Sequence, residues 1–102
     1  MGTVTTRDGL ALPLRQWPQP AARGHVLIVH GLGEHSGRYD TLARDLNAQG
    51  WAVTGYDQRG HGGAPGKRGV IPAADSLCDD LARVIDALHA AGQPPTVLLG
   101  HS

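Results

Sequence analysis

Two short segments of this chain carry residue types suited to acyl transfer. Gly100-His101-Ser102 begins the pattern Gly-x-Ser-x-Gly, in which a nucleophilic serine sits on a sharp, strained turn between a strand and a helix. Thr96-Val97-Leu98-Leu99 runs directly into it, apolar without alternation, as a buried strand reads. The turn needs small residues on both sides of the serine, and Gly100 supplies the first. The plainer alternative makes Ser102 a helix N-cap. The second segment, His30-Gly31-Leu32-Gly33, follows the apolar run Val26-Leu27-Ile28-Val29. A tetrahedral acyl intermediate needs backbone N–H donors aimed at its oxyanion. Gly31 and Gly33 let this loop pass close to a substrate and leave the Leu32 N–H as one donor, the other belonging to the residue after Ser102. A competing reading takes Gly31, Gly33 and Gly37 as a dinucleotide-binding glycine loop one residue out of register, with Asp57 as its acidic partner.

These segments need elements to hold them. Residues 3–6 and 10–17 are β-leaning runs around Arg7-Asp8-Gly9, a hairpin signal. Residues 18–24 read as a surface loop. Tyr39, Leu42, Ala43 and Leu46 recur at three- and four-residue spacing and predict a helix over 38–49, with Gly50 as its C-terminal cap. Trp51 to Tyr56 reads as the next strand, and 58–72, rich in glycine and proline, as an irregular loop. Over 75–91, Leu77, Leu81, Val84, Ile85 and Leu88 trace one apolar stripe. Asp79 and Asp80 lie early and His89 late, as the helix dipole prefers, and Gly92, Pro94 and Pro95 end the helix. The order hairpin, strand, helix, strand, helix, strand implies an α/β fold with parallel strands joined by right-handed crossovers.

Three motifs then carry a family resemblance. His30-Gly31-Leu32-Gly33-Glu34-His35-Ser36-Gly37-Arg38-Tyr39 resembles the His-Gly-x-Gly-Glu-His-Ser-x-Arg-Tyr segment of monoacylglycerol lipases and lysophospholipase-like serine hydrolases. Asp57-Gln58-Arg59-Gly60-His61-Gly62 is similar to their Asp-x-x-Gly-His-Gly loop, and Leu98-Leu99-Gly100-His101-Ser102 to their nucleophile elbow. Gly63-Ala64 departs from the small polar residue often found after the second loop. The resemblance implies the α/β-hydrolase fold, with residues 1–102 as the N-terminal portion of one domain: part of a mostly parallel sheet with flanking helices, ending at the elbow. It implies Ser102 as nucleophile, Leu32 as oxyanion-hole donor through its backbone N–H, and Glu34 and Arg38 as part of a polar pocket for the alcohol half of an ester. A Glu–Arg pair four residues apart reads equally as an exposed ion pair. The implied activity is a serine carboxylester hydrolase of monoacylglycerol lipase type, working on lipid esters through an acyl-serine without a cofactor. Peripheral membrane contact would come through a lid outside these residues. Other readings are a small-ester esterase, thioesterase or peptidase on the same fold, or, from another class, a non-catalytic hydrolase-like binding module or a dinucleotide-binding fragment. The 102 residues by themselves are expected to be inert.

In that plan the triad acid and histidine follow the serine in the chain. His30, His35, His61 and His101 therefore read as groups that fix loops by hydrogen bonding. A His30/His61/His101 metal site lacks zinc-type spacing, so no metal is expected. Asp57 and Arg59 read as loop braces, His25 and His89 as surface residues, and Cys78 as a small core or boundary residue. With one cysteine no intramolecular disulfide can form, which fits a reducing, cytoplasmic setting. Nine basic residues balance nine acidic ones, so nothing points to a nucleic-acid partner. No apolar stretch approaches the roughly 20 residues that span a bilayer. Met1 to Thr6 fits the loose myristoylation pattern, but Thr3 to Thr6 reads better as a short strand.

Overall fold

The structure is a computed structural model, and it describes residues 2–31, 35–66 and 74–100. Strands β1 (Thr3–Thr5) and β2 (Ala11–Trp17) form the expected antiparallel hairpin, with Val4 opposite Leu12. Next come β3 (Gly24–Val29), a 3-10 turn at Ser36–Tyr39, α1 (Asp40–Ala48), β4 (Trp51–Tyr56), α2 (Ala74–Ala90) and β5 (Val97–Gly100). The sheet order is β1-β2-β4-β3-β5. β3 lies parallel to both β4 and β5, and β2 runs antiparallel to β4. The helix expected over 38–49 is thus divided. Its first turn is the tighter 3-10 form, with Arg38 N–H donating to the His35 carbonyl at 3.1 Å.

Side-chain alternation along β3 splits the core between the two faces of the sheet. Val26 and Ile28 join Val53 of β4 and Ala43 of α1, with Trp17, Tyr39, Leu46 and Trp51 packed around them. Leu27, fully buried, points the other way into Val4, Leu12, Leu14, Tyr56 and Ala64, where Val84 and Leu88 of α2 close the layer. Burial on both faces is why β3 reads as an unbroken apolar run.

Three residues depart from their expected positions. Leu42 is 38% exposed, because the short α1 meets the sheet chiefly through the fully buried Ala43. Cys78 is exposed: at roughly 100° per residue it falls at the margin of the apolar stripe, just beyond Ile85, near the start of α2. His25 is buried rather than on the surface. It shares the Leu27 face of β3, and both ring nitrogens are satisfied there, Nδ1 by the Gln93 carbonyl at 2.8 Å and Nε2 by Thr54 Oγ1 at 2.7 Å. His89 is exposed, as expected. β5 forms, but its Val97, Leu98 and Leu99 side chains are exposed where their apolar run reads as buried, because β5 takes the sheet edge with a strand neighbour, β3, on one side only.

Candidate active site

Strand register decides where the motifs meet. Val29 pairs with both Tyr56 and Gly100, so β3, β4 and β5 end side by side. The chain continues from all three at the carboxyl edge of the sheet, where open α/β sheets bind ligands. Leu32, Glu34 and Ser102, with His101, lie outside the described residues. Arg38 is described: it lies exposed in the 3-10 turn between the first glycine loop and α1.

Two consecutive residues after β4 reach both flanks of that first loop. Asp57, buried, accepts the Ser36 N–H at 2.8 Å and the Ser36 hydroxyl at 2.6 Å on Oδ1, and the Gly63 N–H at 3.0 Å on Oδ2. Arg15 Nε donates to the same Ser36 Oγ at 3.1 Å. Burial alone would raise the Asp57 pKa, but the bonds from Ser36 and Gly63 outweigh it and hold the carboxyl below its ordinary value. Gln58 takes the other flank. Its backbone N–H donates to His30 Nε2 at 2.9 Å, and its side-chain amide donates to the His30 carbonyl at 2.6 Å.

These bonds fix the state of His30. A backbone N–H can only donate, so Nε2 is unprotonated; Nδ1 then carries the proton and donates to the Gly31 carbonyl at 2.8 Å. Both nitrogens are committed on a ring only 1% exposed. His30 is therefore a loop-fixing group, and neither nitrogen is open to a metal. The His61 ring lies 5.2 Å from it, centroid to centroid, with Nδ1 on the Arg59 carbonyl at 3.0 Å. Ser36, also 1% exposed, donates its hydroxyl to a carboxylate and accepts from Arg15, which rules it out as an accessible nucleophile.

Tight glycines complete this region. Gly62 has φ +53°, and a Cβ there would sit 2.5 Å from Asp57 Oδ2 and 2.8 Å from His35 Cβ. One at Gly37 would sit 2.9 Å from His35 Nδ1 and 3.1 Å from Arg15 Cζ.

Arg59 braces the second loop from outside. It binds Asp80 of α2 through Nε at 2.7 Å and Nη2 at 2.9 Å, and Asp8 of the hairpin turn through Nη1 at 3.0 Å and Nη2 at 2.9 Å. Hydrogen bonding to Arg59, then to Thr6, holds Asp8 well below the carboxylate range. The bonds to Asp80 and Asp8 raise the Arg59 guanidinium further still. Ala64, where the sequence departs from the family pattern, is fully buried and fills part of the α2-side core. Gln58, Arg15, Ser36, Asp8 and Asp80 were not singled out from sequence as supports. Asp80 reads there only as a carboxylate near a helix N-terminus, and Gln58 as a polar loop residue.

An antiparallel hairpin leading into a sheet ordered β1-β2-β4-β3-β5, with a histidine–glycine loop at its carboxyl edge, defines the α/β-hydrolase class. Comparison with known proteins goes one step further: residues 20–102 match the family described as serine aminopeptidase, S33, and the chain belongs to that family of α/β-hydrolases. It is 36% identical over 101 residues to monoglyceride lipase of Homo sapiens, covering 97% of this chain and 33% of that protein. It is 37% identical over 87 residues to the monoacylglycerol lipase of Mycolicibacterium smegmatis, covering 83% of this chain and 31% of that one. A solved monoacylglycerol lipase from Paleococcus ferrophilus is 41% identical, with TM-score 0.71 over 89% of this chain and 33% of its own. Est1E of Butyrivibrio proteoclasticus, solved with ferulic acid, shares the fold with TM-score 0.80 at 24% identity, over 100% of this chain and 43% of its own. The chain thus spans about a third of the length of the lipases it matches. The relatives place it in a serine hydrolase lineage. Among the described residues, no helix is long and apolar enough to cross a membrane.

Proposed function

We propose that residues 1–102 are the N-terminal portion of a serine carboxylester hydrolase of monoacylglycerol lipase type. The observation that carries this reading is the shared end of β3, β4 and β5. It brings the histidine–glycine loop, the Asp57–Gly62 loop and the strand leading to Gly100-His101-Ser102 to one edge of the sheet. Similarity to three monoacylglycerol lipases supports the choice of substrate class.

In this mechanism Ser102 Oγ attacks the ester carbonyl carbon, giving up its proton to a base that follows in the chain. The carbonyl oxygen becomes an oxyanion held by the backbone N–H groups of Leu32 and of the residue after Ser102. Collapse breaks the ester C–O bond, the alcohol leaves with the proton, and an acyl-serine remains. Water then attacks the acyl carbon, the fatty acid departs and Ser102 regains its proton. No step needs a cofactor. Glu34 and Arg38 bind the free hydroxyls of the glycerol half. Arg38 lies exposed in the 3-10 turn just past the loop. The partner is a lipid ester met at a membrane surface through a lid, and the setting is the cytoplasm, which the lone Cys78 suits.

The test uses the full-length protein on a monoacylglycerol and the methyl ester of the same acid. Replacing Arg38 or Glu34 with alanine lowers kcat/KM for the glyceride about tenfold relative to the methyl ester, since only the glyceride offers hydroxyls to bind. An unchanged ratio overturns the pocket assignment. Absence of glyceride hydrolysis by the unmodified protein overturns the lipase reading and favours a hydrolase-like binding module.

A further inference from the structure

We infer that Asp57 and Gln58 are positioning residues for catalysis, setting the oxyanion hole from both of its flanks at once. The inference rests on the assignment of the Leu32 N–H as an oxyanion donor. An oxyanion hole works by preorganisation: its donors must already point at the place where charge will develop. A glycine loop does not hold such a geometry unaided, since glycine gives the backbone its widest freedom. The loop between His30 and Ser36 contains Gly31 and Gly33, and Gly37 follows it.

The structure supplies the missing constraint from a neighbouring strand. Gln58 fastens His30 by two bonds, 2.9 Å to Nε2 and 2.6 Å to the carbonyl oxygen. Asp57 fastens Ser36 by two more, 2.8 Å from the N–H and 2.6 Å from the hydroxyl. Asp57 and Gln58 adjoin each other and follow Tyr56, which pairs with Val29 in the sheet. The spacing between the two flanks of the loop is therefore referred to one peptide unit anchored on β4. All four residues are buried, so water does not compete for these bonds. Gly63 N–H on Asp57 Oδ2 and Arg15 Nε on Ser36 Oγ hold the clamp from behind.

The neutral tautomer of His30 belongs to the same device. Its Nδ1–H reaches the carbonyl of Gly31, the first residue of the loop proper, and the Gln58 N–H on Nε2 enforces that tautomer. The chain of contacts runs from β4 through Gln58 and His30 to the backbone that leads into Leu32.

Two variants relax one flank each and leave the rest of the clamp in place. Gln58→Met keeps volume and the backbone N–H but removes the bond to the His30 carbonyl. Ser36→Ala removes the hydroxyl bond to Asp57 but keeps the N–H bond. The readouts, in full-length protein normalised by active-site titration with a fluorophosphonate, are kcat, KM and the inhibition constant of a trifluoromethyl ketone. That ketone forms a tetrahedral adduct whose oxygen occupies the oxyanion position. Each variant lowers kcat about tenfold with KM within about twofold, a fraction of the 100- to 1000-fold cost of losing a donor outright. The ketone weakens by the same factor as kcat/KM. A merely structural role lowers the titratable fraction and leaves these constants unchanged per active site. Per-site kcat within twofold of the parent for both variants, or a kcat loss without parallel weakening of the ketone, overturns the inference. An unmodified protein that neither titrates nor hydrolyses esters overturns instead the oxyanion-hole assignment beneath it.

Discussion

Replacing Arg59 with methionine isolates the cost of a buried carboxylate left alone. Asp80 is 1% exposed and takes two charge-assisted bonds from Arg59, at 2.7 and 2.9 Å. Without the guanidinium that carboxylate stays in the α2–loop contact with its main partner gone. Breaking a buried pair in this way costs about 3–5 kcal/mol. Arg59 itself is 17% exposed, so some water reaches the vacated side, and the lower end, about 3 kcal/mol, is the expected loss. That is a large part of the roughly 5–15 kcal/mol available to a folded protein. The converse change, Asp80→Asn, costs less, because Arg59 keeps Asp8 at 2.9 Å and its contact with solvent. The double variant Arg59→Met/Asp80→Asn removes the stranded charge and recovers more than half of the loss. Urea unfolding of the full-length protein, followed by the fluorescence of Trp17 and Trp51, measures all three. A loss under about 1 kcal/mol for Arg59→Met, or a double variant no more stable than the single, refutes the reasoning.

Leu27→Ala, at a fully buried position between β3 and α2, loses about 3 kcal/mol in the same assay, whereas Leu42→Ala, 38% exposed on α1, loses under about 0.5 kcal/mol. Asp57 is held below its ordinary pKa in the folded state, so its contribution to stability is complete above the unfolded value near 4 and fades as pH falls through the lower folded value. Asp57→Asn is accordingly less stable than the parent at pH 7, and the gap narrows on acidification below about pH 4, as read by urea unfolding across pH.

Elements whose pattern depends only on their own faces were legible in the sequence. β3 reads as a strand because both faces are buried, and α2 because Val84 and Leu88 lie on one stripe. The hairpin followed from Asp8-Gly9 between β-leaning runs. What stayed hidden depends on partners distant in sequence. His25 is buried because Thr54 and Gln93 reach its two nitrogens, and no local spacing announces them. Asp57 and Arg59 were legible as loop braces rather than catalysts, yet what they hold was not. Ser36 lies 21 residues from Asp57, and Asp80 lies 21 from Arg59. Gln58 gives no sequence signal at all, since its importance comes from facing His30 across the β3–β4 pairing. Leu42 misled because helical spacing does not say how much of a short helix the sheet covers.

The central proposal is that Ser102, the second residue after β5, is the nucleophile of a serine hydrolase. The most direct measurement is labelling of the full-length protein with a fluorophosphonate, followed by peptide mass spectrometry to locate the adduct. The chain offers two other serines, Ser36 and Ser76, and Ser36 is already committed to Asp57. The account predicts one adduct, on Ser102, with labelling and ester hydrolysis both lost in Ser102→Ala while the thermal unfolding midpoint is retained. An adduct at another serine, or hydrolysis that persists in Ser102→Ala, contradicts it.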